Sequence, residues 1–455
     1  MKQFKLSLLF ILLILGFVSC DDDETSSAAS SLEFSGSAVV IENEDVIAIT
    51  IQRNGGQGVL ELSYELAGTA VAGEDYVLPD SNAFSVPVNG ATTLEFQLIN
   101  DDEVEGDETF ILSLVEEELE IVITISDDDT FPFENGVLIT NEGPFNNGFG
   151  SVSFLNSVFT TADNDIYQDV NGDNLGNIVQ SIGFNNDDAY VVANVSNRIT
   201  VVNRFTFEET ARIESGLENP RYFIAVNGTG YVSNWGDPFV PTDDYIAIID
   251  LNTNTVTGTI PVGEGPERII TDGQNVYVAL RGGFGVNNQV VVIDPISNSV
   301  LTEIPVGDVP DSMAFDENGV LWVLSQGSPA FTGNETAGQL NSINTANQSV
   351  IDVFTFAVEE HPSFLNIVEN DLFYYLNSAV FQSDATNFSI PENPEFTTPV
   401  LFNMFLPNNR TLIGCDAGDF ASNGDILLYD VITGDLLNVL EVGIIPNNVY
   451  LNFQE

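Results

Sequence analysis

The chain has 455 residues, of which 68 are acidic and only ten are basic, and its net charge is −58 at pH 7. A field this negative repels nucleic acid and anionic lipid surfaces, so no nucleic-acid partner is expected. His361 is the only histidine, and Cys415 is the only cysteine besides Cys20. These counts argue against histidine zinc sites, a Ser–His–Asp triad and a disulfide framework.

Residues 1–19 have the layout of a secretion signal. A basic start with two lysines is followed by a nearly all-apolar run over residues 6–18, which ends at Ser19 and Cys20. The run is shorter than the about 20 residues that span a bilayer. Serine before cysteine resembles a bacterial lipobox, although Phe17 stands where leucine is usual. The resemblance implies a lipoprotein signal peptide and a lipidated Cys20; the alternative is an ordinary signal peptide with an incidental cysteine.

Residues 20–32 are expected to form an acidic tether behind the lipidated cysteine. Residues 21–24 are all acidic, and the small polar residues that follow indicate flexibility. An acidic run directly after a lipidated cysteine resembles the surface-export signal of Bacteroidota lipoproteins, with a solvating linker as the alternative. The resemblance implies a protein that is lipid-anchored to the outer membrane and faces the extracellular side.

Residues 33–130 are predicted to form an antiparallel, Ig-like β-sandwich. Short alternating apolar runs such as VIAITIQR, TLEFQLI and LEIVITIS are separated by turn residues. This spacing is typical of sandwiches, and no stretch of the chain has a convincing helical period. We therefore expect an all-β protein whose first domain is a sandwich.

The acidic residues of the sandwich gather at strand ends, in AGEDY, NDDEVEGDE and SDDD. Strand ends meet at the two poles of a sandwich, where several carboxylates repel one another unless a cation binds. Calcium takes about six to eight oxygen ligands, and carboxylates supply them. The pattern therefore predicts a calcium-binding pole.

These segments, as GTAVAGEDY, NDDEVEGDETF and ISDDD, resemble a Calx-beta domain. The resemblance implies the calcium ligands Glu42, Asp75, Asp101, Glu105, Glu108, Asp127, Asp128 and Asp129. Asn100 stands where the family commonly has aspartate, which puts one of several ions in doubt. Calcium is the one cofactor expected, either as a stiffening element or as a sensed signal.

Residues 131–455 repeat a pattern every 39 to 50 residues or so, a period typical of propellers. The segments from Ile246 and Val291 each predict strand, turn, strand, a proline-bearing loop and two more strands. Equivalent turns fall at Asn156, Asn203, Asp250, Asp294, Asn344, near Ser383, and at Asp430. Seven copies predict a seven-bladed β-propeller, in which the C-terminal NNVYLNF supplies the inner strand of the blade that begins GVLITNE.

The IPVG…P repeat resembles the YncE-like propellers. The opening NEGPFNNGFGSVSFLN and the later NPRYF resemble a group of Bacteroidota surface lipoproteins. That group includes vitamin B12-capturing propeller lipoproteins that sit on TonB-dependent transporters. The resemblance implies a corrinoid (cobalamin) as ligand and a TonB-dependent outer-membrane transporter as partner.

The long loops between second and third strands share one face with the loops that enter each inner strand, and such a face is usually the functional one. The ligand-binding residues predicted on it are Gln180, Arg221, Trp235, Arg268, Arg281, Phe284 and Phe331. The same loops carry Phe239, Phe420, Asp311, Ser363 and Asn447. Aromatic rings beside arginine donors suit a large planar ligand such as a corrinoid, or a glycan. The alternative is that each arginine only pairs with surrounding acids.

Three functions follow from these features. The first is a cell-surface lipoprotein whose propeller captures a nutrient for a transporter, with the sandwich as a calcium-bound spacer. The second is an adhesion or matrix protein that makes calcium-dependent contacts. The third is a propeller enzyme of the lactonase or quinoprotein type. No paired acid–base constellation supports the third, whose one candidate is His361 on a loop, and we expect no enzyme.

Overall fold

The computed structural model describes residues 30–44, 46–101, 103–145 and 148–454. The expected signal peptide, Cys20 and most of the tether lie outside these residues. The chain divides into two compact units, with the boundary between Thr130 and Phe131. No helix in the described part is long and apolar enough to cross a membrane.

The first unit is a β-sandwich. Its strands are β1 (Ser31–Ser35), β2 (Val39–Ile41), β3 (Val46–Asn54), β4 (Leu60–Gly68), β5 (Ala83–Val86), β6 (Ala91–Gln97), β7 (Glu108–Leu114) and β8 (Leu119–Ser126). One sheet has the order β1–β3–β6 and the other the order β2–β8–β7–β4–β5. The strands pair antiparallel except β2 and β8, which run parallel.

The core of the sandwich follows from the two-residue period of its strands. Ile47, Ile49 and Ile51 alternate along β3 with half-buried or exposed residues, and all three are fully buried. Phe96 from one sheet and Phe110 from the other have ring centroids 4.9 Å apart, so aromatic packing joins the two sheets. Burying a side chain of this size stabilises the fold by about 1.5–3 kcal/mol.

The second unit is built from 28 strands in its described residues. In chain order they are β9 (Gly136–Asn141), β10 (Ser151–Asn156), β11 (Ala162–Asp163), β12 (Val179–Asn185), β13 (Asp188–Ala193), β14 (Arg198–Asn203), β15 (Glu209–Ile213), β16 (Pro220–Val226), β17 (Thr229–Asn234), β18 (Tyr245–Asp250), β19 (Thr255–Pro261), β20 (Pro266–Thr271), β21 (Val276–Leu280), β22 (Gln289–Asp294), β23 (Ser299–Pro305), β24 (Pro310–Phe315), β25 (Val320–Ser325), β26 (Gln339–Asn344), β27 (Ser349–Thr355), β28 (Ser363–Val368), β29 (Asp371–Leu376), β30 (Ala379–Asp384), β31 (Phe396–Thr397), β32 (Asn403–Asn408), β33 (Thr411–Asp416), β34 (Asn423–Asp430), β35 (Leu436–Ile444) and β36 (Pro446–Asn452).

These strands form seven four-stranded antiparallel sheets, the blades of a β-propeller. Six blades use four consecutive strands, from β12–β15 to β32–β35. In the seventh, β36 from the C-terminus is the innermost strand of the sheet β36–β9–β10–β11. The predicted all-β class, the seven blades and the closure of the ring by the C-terminal strand are confirmed.

The last blade is fixed to its neighbour by the side chain of Asn452. Its Oδ1 accepts a hydrogen bond from Arg204 Nε at 2.7 Å, and its Nδ2 donates to the Arg204 carbonyl at 2.9 Å. Nδ2 also donates to the Phe133 carbonyl. Asn452 is fully buried, so these bonds satisfy polar groups that have no access to solvent.

Apolar side chains of adjacent blades pack against each other, and polar contacts connect the same blades at their edges. The Tyr190 hydroxyl donates to Asn254 Oδ1 at 2.8 Å, and the Tyr231 hydroxyl donates to Asn298 Oδ1 at 2.6 Å. Each tyrosine lies on the second strand of a blade, and each asparagine lies in a turn of the next blade. The repeated bond holds neighbouring blades in register.

One element of the propeller differs from the sequence prediction, which contained no helix. Residues Ile166–Asn171 form a short helix α1 between β11 and β12, and it buries Ile166 and Tyr167. Six residues are too few to produce a readable helical period. Short 3-10 turns occur at Ala330–Thr332 and Ala385–Asn387.

Candidate functional site

Parallel pairing of β2 with β8 brings acidic segments to one pole of the sandwich. The Glu42 N–H, directly after β2, donates to the Ser126 carbonyl at the end of β8 at 3.0 Å. Glu42 and Asp127 therefore leave the sheet side by side. β7 begins at the same edge, because Glu108 is the pairing partner of Ile125.

The carboxylates of this pole form two groups, in each of which one oxygen per residue lies within 4.8 Å of the others. The first group is Glu42, Asp127 and Asp129, and the second is Asp75, Glu105 and Glu108. Six of the eight predicted calcium ligands thus fall into two neighbouring triads. Glu42 and Asp75 are buried, so their charges are poorly shielded by solvent.

Crowding changes the acidity of these groups. Burial is the main cause that raises the pKa of Glu108 to about 7, and its hydrogen bond with Asp75 and repulsion from Asp75 and Glu105 add to the rise. Burial also raises the pKa of Glu42, and repulsion from Asp101 contributes. Carboxyls with raised pKa values favour a bound proton or a bound cation at this pole.

Asp127 differs from its neighbours because backbone groups stabilise its charge. Burial acts to raise its pKa, but N–H donors of Gly106, Asp129 and Glu105 together lower it below the usual value. The donor distances are 2.7 Å from Gly106 and 2.8 Å from each of the other two. Asp127 is thereby fixed in position as a carboxylate.

The two remaining predicted ligands lie beside the triads. Asp101 accepts a hydrogen bond from the Glu103 N–H at 2.8 Å, and its own N–H donates to Glu42 Oε1 at 3.2 Å. Asp128 accepts hydrogen bonds from the backbone and side chain of Asn43. Both residues position the loops that carry the triads.

A cluster of aromatic rings lies on the propeller face that carries the long loops, called here the loop face. Trp235 and Phe239 come from the β17–β18 loop, and Phe284 comes from the β21–β22 loop. The Phe284 ring centroid lies 5.9 Å from that of Trp235 and 5.9 Å from that of Phe239. Phe239 is 83% exposed and Phe284 is 73% exposed. Grouped exposed rings are typical of a binding surface.

Trp235 is held rigidly in this cluster. Its Nε1 donates to the Pro266 carbonyl at 3.1 Å, and the guanidinium carbon of Arg221 lies 4.3 Å from the ring centroid. Arg221 also forms an ion pair with Glu267 across the inner strands β16 and β20, with an Nη2–Oε1 distance of 2.7 Å. Arg221 therefore packs on one side of the Trp235 ring. Its charge is neutralised by Glu267.

Arg268 and Arg281 have different surroundings. Arg268 is half-buried near the start of β20, with its guanidinium carbon 4.7 Å from the Tyr222 ring centroid. Arg281 donates to Gln326 Oε1 at 3.2 Å, and Gln326 in turn donates to Asp311 Oδ1 at 2.8 Å. Of the three predicted arginines, Arg221 alone forms an ion pair with an acid.

The other predicted ligand residues are spread over the loop face. Gln180 is buried in the inner strand β12, and its backbone carbonyl accepts a hydrogen bond from Asn448 Nδ2 at 2.9 Å. Phe331 is 90% exposed and has no ring contact with the aromatic side chains of the described ranges. The structure therefore groups Arg221, Trp235 and Phe284, and it places Gln180 and Phe331 apart from them.

His361, the one candidate acid–base residue, lies in the loop before β28. Its Nδ1 is 2.9 Å from the Gln326 carbonyl, and its Nε2 is 3.5 Å from Glu335 Oε1.

Sequence reasoning missed several residues of the loop face. Glu267, the partner of Arg221, could have been found by aligning GPERI with NPRYF, which places the two residues at the same repeat position. Phe145 and Phe149 in the β9–β10 loop are exposed on the same face, but phenylalanine in a strand-rich sequence is ordinarily taken as core. Glu142 was also missed; its side chain accepts a hydrogen bond from Asn447 Nδ2 at 2.7 Å.

A cavity of about 480 Å³ lies at the opposite face, among the tight turns. It is lined by Phe131, Phe184, Asn186, Asp187, Asn203, Arg204, Phe205, Phe453 and Gln454. None of the predicted ligand residues lines it. Arg204 lies 3.9 Å from the Phe184 ring centroid and is bonded to Asn452, so its charge serves the closure of the ring.

The fold and the acidic pole define a protein with an N-terminal Calx-beta domain and a C-terminal β-propeller; the Calx-beta family model matches residues 23–131. The chain belongs to the family described as Domain of unknown function (DUF5074), whose model matches residues 135–399, more than half of the chain. No curated protein matches the chain.

Solved structures with low sequence identity share the fold. A quinonprotein alcohol dehydrogenase-like protein from Bacteroides thetaiotaomicron has 13% identity and a TM-score of 0.52, over 91% of this chain and 96% of that one. A putative 6-phosphogluconolactonase from Bacteroides uniformis has 13% identity and a TM-score of 0.50, over 70% of this chain and 99% of that one. A functionally unknown protein from Desulfotomaculum acetoxidans has 10% identity and a TM-score of 0.51, over 71% of this chain and 100% of that one.

Proposed function

We propose that this protein is a cell-surface lipoprotein that captures a small-molecule nutrient on the loop face of its propeller and passes it to a TonB-dependent outer-membrane transporter. The observation that carries the proposal is the aromatic cluster in which the exposed Phe239 and Phe284 group with the half-buried Trp235. Arg221 packs against the Trp235 ring. Exposed apolar rings are unfavourable in water and become favourable when a ligand covers them.

The cluster is suited to binding because it is already ordered. The hydrogen bond from Trp235 to the Pro266 carbonyl and the ion pair behind the ring fix the orientation of the indole. A ligand that stacks on a fixed ring loses less free energy to the ordering of side chains. Stoichiometric capture needs such a surface and needs no acid–base pair beside it.

A corrinoid is the ligand class that we propose to test first. Its macrocycle is broad and carries amide groups at its edge, so it can cover several rings while its polar groups meet the arginine and asparagine side chains around the channel. The resemblance of NEGPFNNGFGSVSFLN and NPRYF to vitamin B12-capturing lipoproteins supports the same choice. A glycan is the next ligand class to test.

The sandwich is proposed to be a calcium-bound spacer. The two carboxylate triads offer oxygen ligands at short mutual distances, as calcium requires. Burial is the main cause of the raised pKa of Glu108, and a cation would offset both this burial and the added repulsion from Asp75 and Glu105. Lipidation of Cys20 would anchor the spacer to the outer membrane. Two or more acyl chains give stable anchoring, whereas one gives only marginal binding.

The test is a calorimetric titration of residues 21–455 with cyanocobalamin in calcium-containing buffer. We expect a one-to-one isotherm that weakens by about tenfold or more in Trp235→Ala and in Phe284→Ala, because each variant removes a large part of the stacking area. Phe453→Ala, which changes a phenylalanine of the opposite face, is the matched control and should bind normally. An absence of binding by the parent chain would exclude the corrinoid.

Adhesion is the second candidate function, because exposed phenylalanines extend over five loops of the same face. They are Phe145, Phe149, Phe239, Phe284, Phe331 and Phe420. An area this wide also suits a protein partner. Calcium-dependent self-association in analytical ultracentrifugation, together with no response to small ligands, would favour adhesion.

A further inference from the structure

Arg268 differs from every other arginine of the chain. All eight arginines lie in the described residues, and seven of them donate a hydrogen bond or form an ion pair with a described residue. Arg268 does neither, although the chain offers 68 carboxylates. Arg268 is half-buried as a residue, and its guanidinium nitrogens are not enclosed by the protein, so they are open to a group from solvent.

The groups around Arg268 place it in the central channel of the propeller. Tyr222 from β16 packs against the guanidinium, and Asp311 from β24 and Tyr450 from β36 interact with its charge from other blades. Burial alone would lower the pKa of Arg268, but Tyr222 and Asp311 raise it above its ordinary value. The side chain is therefore a permanent cation that faces the channel.

The neighbouring acids are already bound to other donors. Glu267 accepts three hydrogen bonds from Arg221, at 2.7, 3.0 and 3.2 Å. Asp311 accepts hydrogen bonds from Gln326 Nε2 at 2.8 Å and from the Phe364 N–H at 2.9 Å. Neither carboxylate accepts a hydrogen bond from Arg268, so the N–H donors of Arg268 are available to a group from outside the protein.

We propose that Arg268 is an anion-recognition residue, which binds a carboxylate or phosphate group of a ligand whose apolar or planar body packs on Trp235, Phe239 and Phe284. Glu267 connects the two parts of this site: its side chain pairs with the arginine beneath Trp235, and it precedes Arg268 in β20. A guanidinium presents paired donors that match both anions. The inference rests on the proposed capture function and names its ligand class, an organic anion.

The test compares phenyl phosphate, benzoate and benzyl alcohol as probes in calorimetric titrations of residues 21–455. The first two probes carry an aromatic ring with an anion, and the third carries the ring with a neutral hydroxyl. We expect binding of at least one anionic probe and much weaker binding of benzyl alcohol. The preferred anionic probe tells a phosphate ligand from a carboxylate ligand.

The variant Arg268→Gln should weaken the preferred anionic probe by about tenfold to about 100-fold, as expected for the loss of a charge-assisted hydrogen bond. Arg268→Lys keeps the charge but loses the paired donors. Its affinity for the preferred anionic probe should therefore lie between those of the parent chain and of Arg268→Gln. Arg410→Gln is the matched control, because Arg410 lies in the β32–β33 turn on the opposite face and pairs with Asp430. Thermal unfolding of each variant checks that it is folded.

Equal binding of the probes by a folded Arg268→Gln variant, or equal binding of benzyl alcohol and the anions by the parent chain, would overturn the proposal. Failure of all three probes would overturn it as well. Failure of the capture function is distinguishable, because it shows as an absence of binding to both cyanocobalamin and glycans. Arg268-dependent binding of phenyl phosphate without binding of cyanocobalamin would support the anion site and exclude the corrinoid as the ligand.

Discussion

Arg221 and Glu267 form a bidentate ion pair between two adjacent inner strands of the propeller, with an Nη2–Oε1 distance of 2.7 Å and an Nε–Oε2 distance of 3.0 Å. The side chains are only 13% and 5% exposed. The arginine also lies against the half-buried Trp235 ring, so one ion pair links two blades and an aromatic side chain of the loop face. Its removal should affect both stability and the loop face.

Glu267→Ala should lower the free energy of unfolding of the propeller by about 3–5 kcal/mol, because it leaves the buried charge of Arg221 without a partner. Both tryptophans of the chain, Trp235 and Trp322, lie in the propeller, so urea unfolding followed by tryptophan fluorescence reports on this unit. Glu303→Ala, on the exposed side of β23, is the control. A loss below about 1 kcal/mol would show that the pair contributes little, as exposed ion pairs do.

Calcium should raise the stability of the sandwich, because it neutralises two groups of carboxylates that otherwise repel one another. A free calcium concentration 100 times the dissociation constant stabilises a one-site domain by about 2.7 kcal/mol. Asp75→Asn should lower the calcium stoichiometry measured by calorimetry and reduce this gain. Glu117→Gln, in the exposed β7–β8 turn, should change neither quantity. An unchanged melting profile after chelation of calcium would contradict the prediction.

Asp244 should make the stability of the propeller depend on pH. Burial raises its pKa from 3.8 to about 6 in the folded state, and repulsion from Asp243 and Glu264 adds to this shift. The folded protein thus holds the proton more tightly than the unfolded chain. The stabilising contribution is complete below pH 3.8 and is lost as the pH rises through about 6.

The variant Asp244→Asn should remove this pH dependence, since asparagine keeps the shape and can still accept the Gly265 N–H. The measurement is the urea midpoint by tryptophan fluorescence between about pH 4 and 7. Asp419→Asn is a control with the opposite pH dependence. Backbone N–H donors lower the pKa of Asp419, so the stability that this carboxylate contributes is lost only as the pH falls below 3.8. An identical slope in the parent and in Asp244→Asn would refute the assignment.

Asn452→Ala should destabilise the propeller by about 3 kcal/mol, because it removes the hydrogen bonds that the fully buried Asn452 amide makes with Arg204 Nε and with the carbonyls of Arg204 and Phe133. Asn318→Ala changes an exposed turn residue and should have little effect. Urea unfolding by tryptophan fluorescence measures both variants. Equal midpoints would show that strand pairing alone closes the ring.

The sequence predicted the propeller well because the turn chemistry is local. The third strands end at Asn156, Asn203, Asp250, Asp294, Asn344, Asp384 and Asp430, within one residue of the predicted turns. At Asp250 and Asp294, for example, the carboxylate accepts the N–H two residues later at 2.9 Å. Such turns require a short polar side chain at a fixed place, which is readable in sequence.

Pairwise partners on different blades are less readable. Arg221 and Glu267 are 46 positions apart, and only the ring of inner strands brings them together. The six carboxylates of the two triads were predicted as a group, but their division into two groups depends on the pairing of β2 with β8. Helix α1 was missed because a six-residue segment carries too little pattern.

The C-terminal origin of β36 also sets an order in time. A ribosome makes β36 after the other strands of the propeller, so the other six blades can form before the innermost strand of the seventh exists. The ring of blades can close only after residue 452 has been made, and a chain that stops earlier exposes the edge of β9. Closure thus waits for a strand that the ribosome makes after every other strand of the propeller.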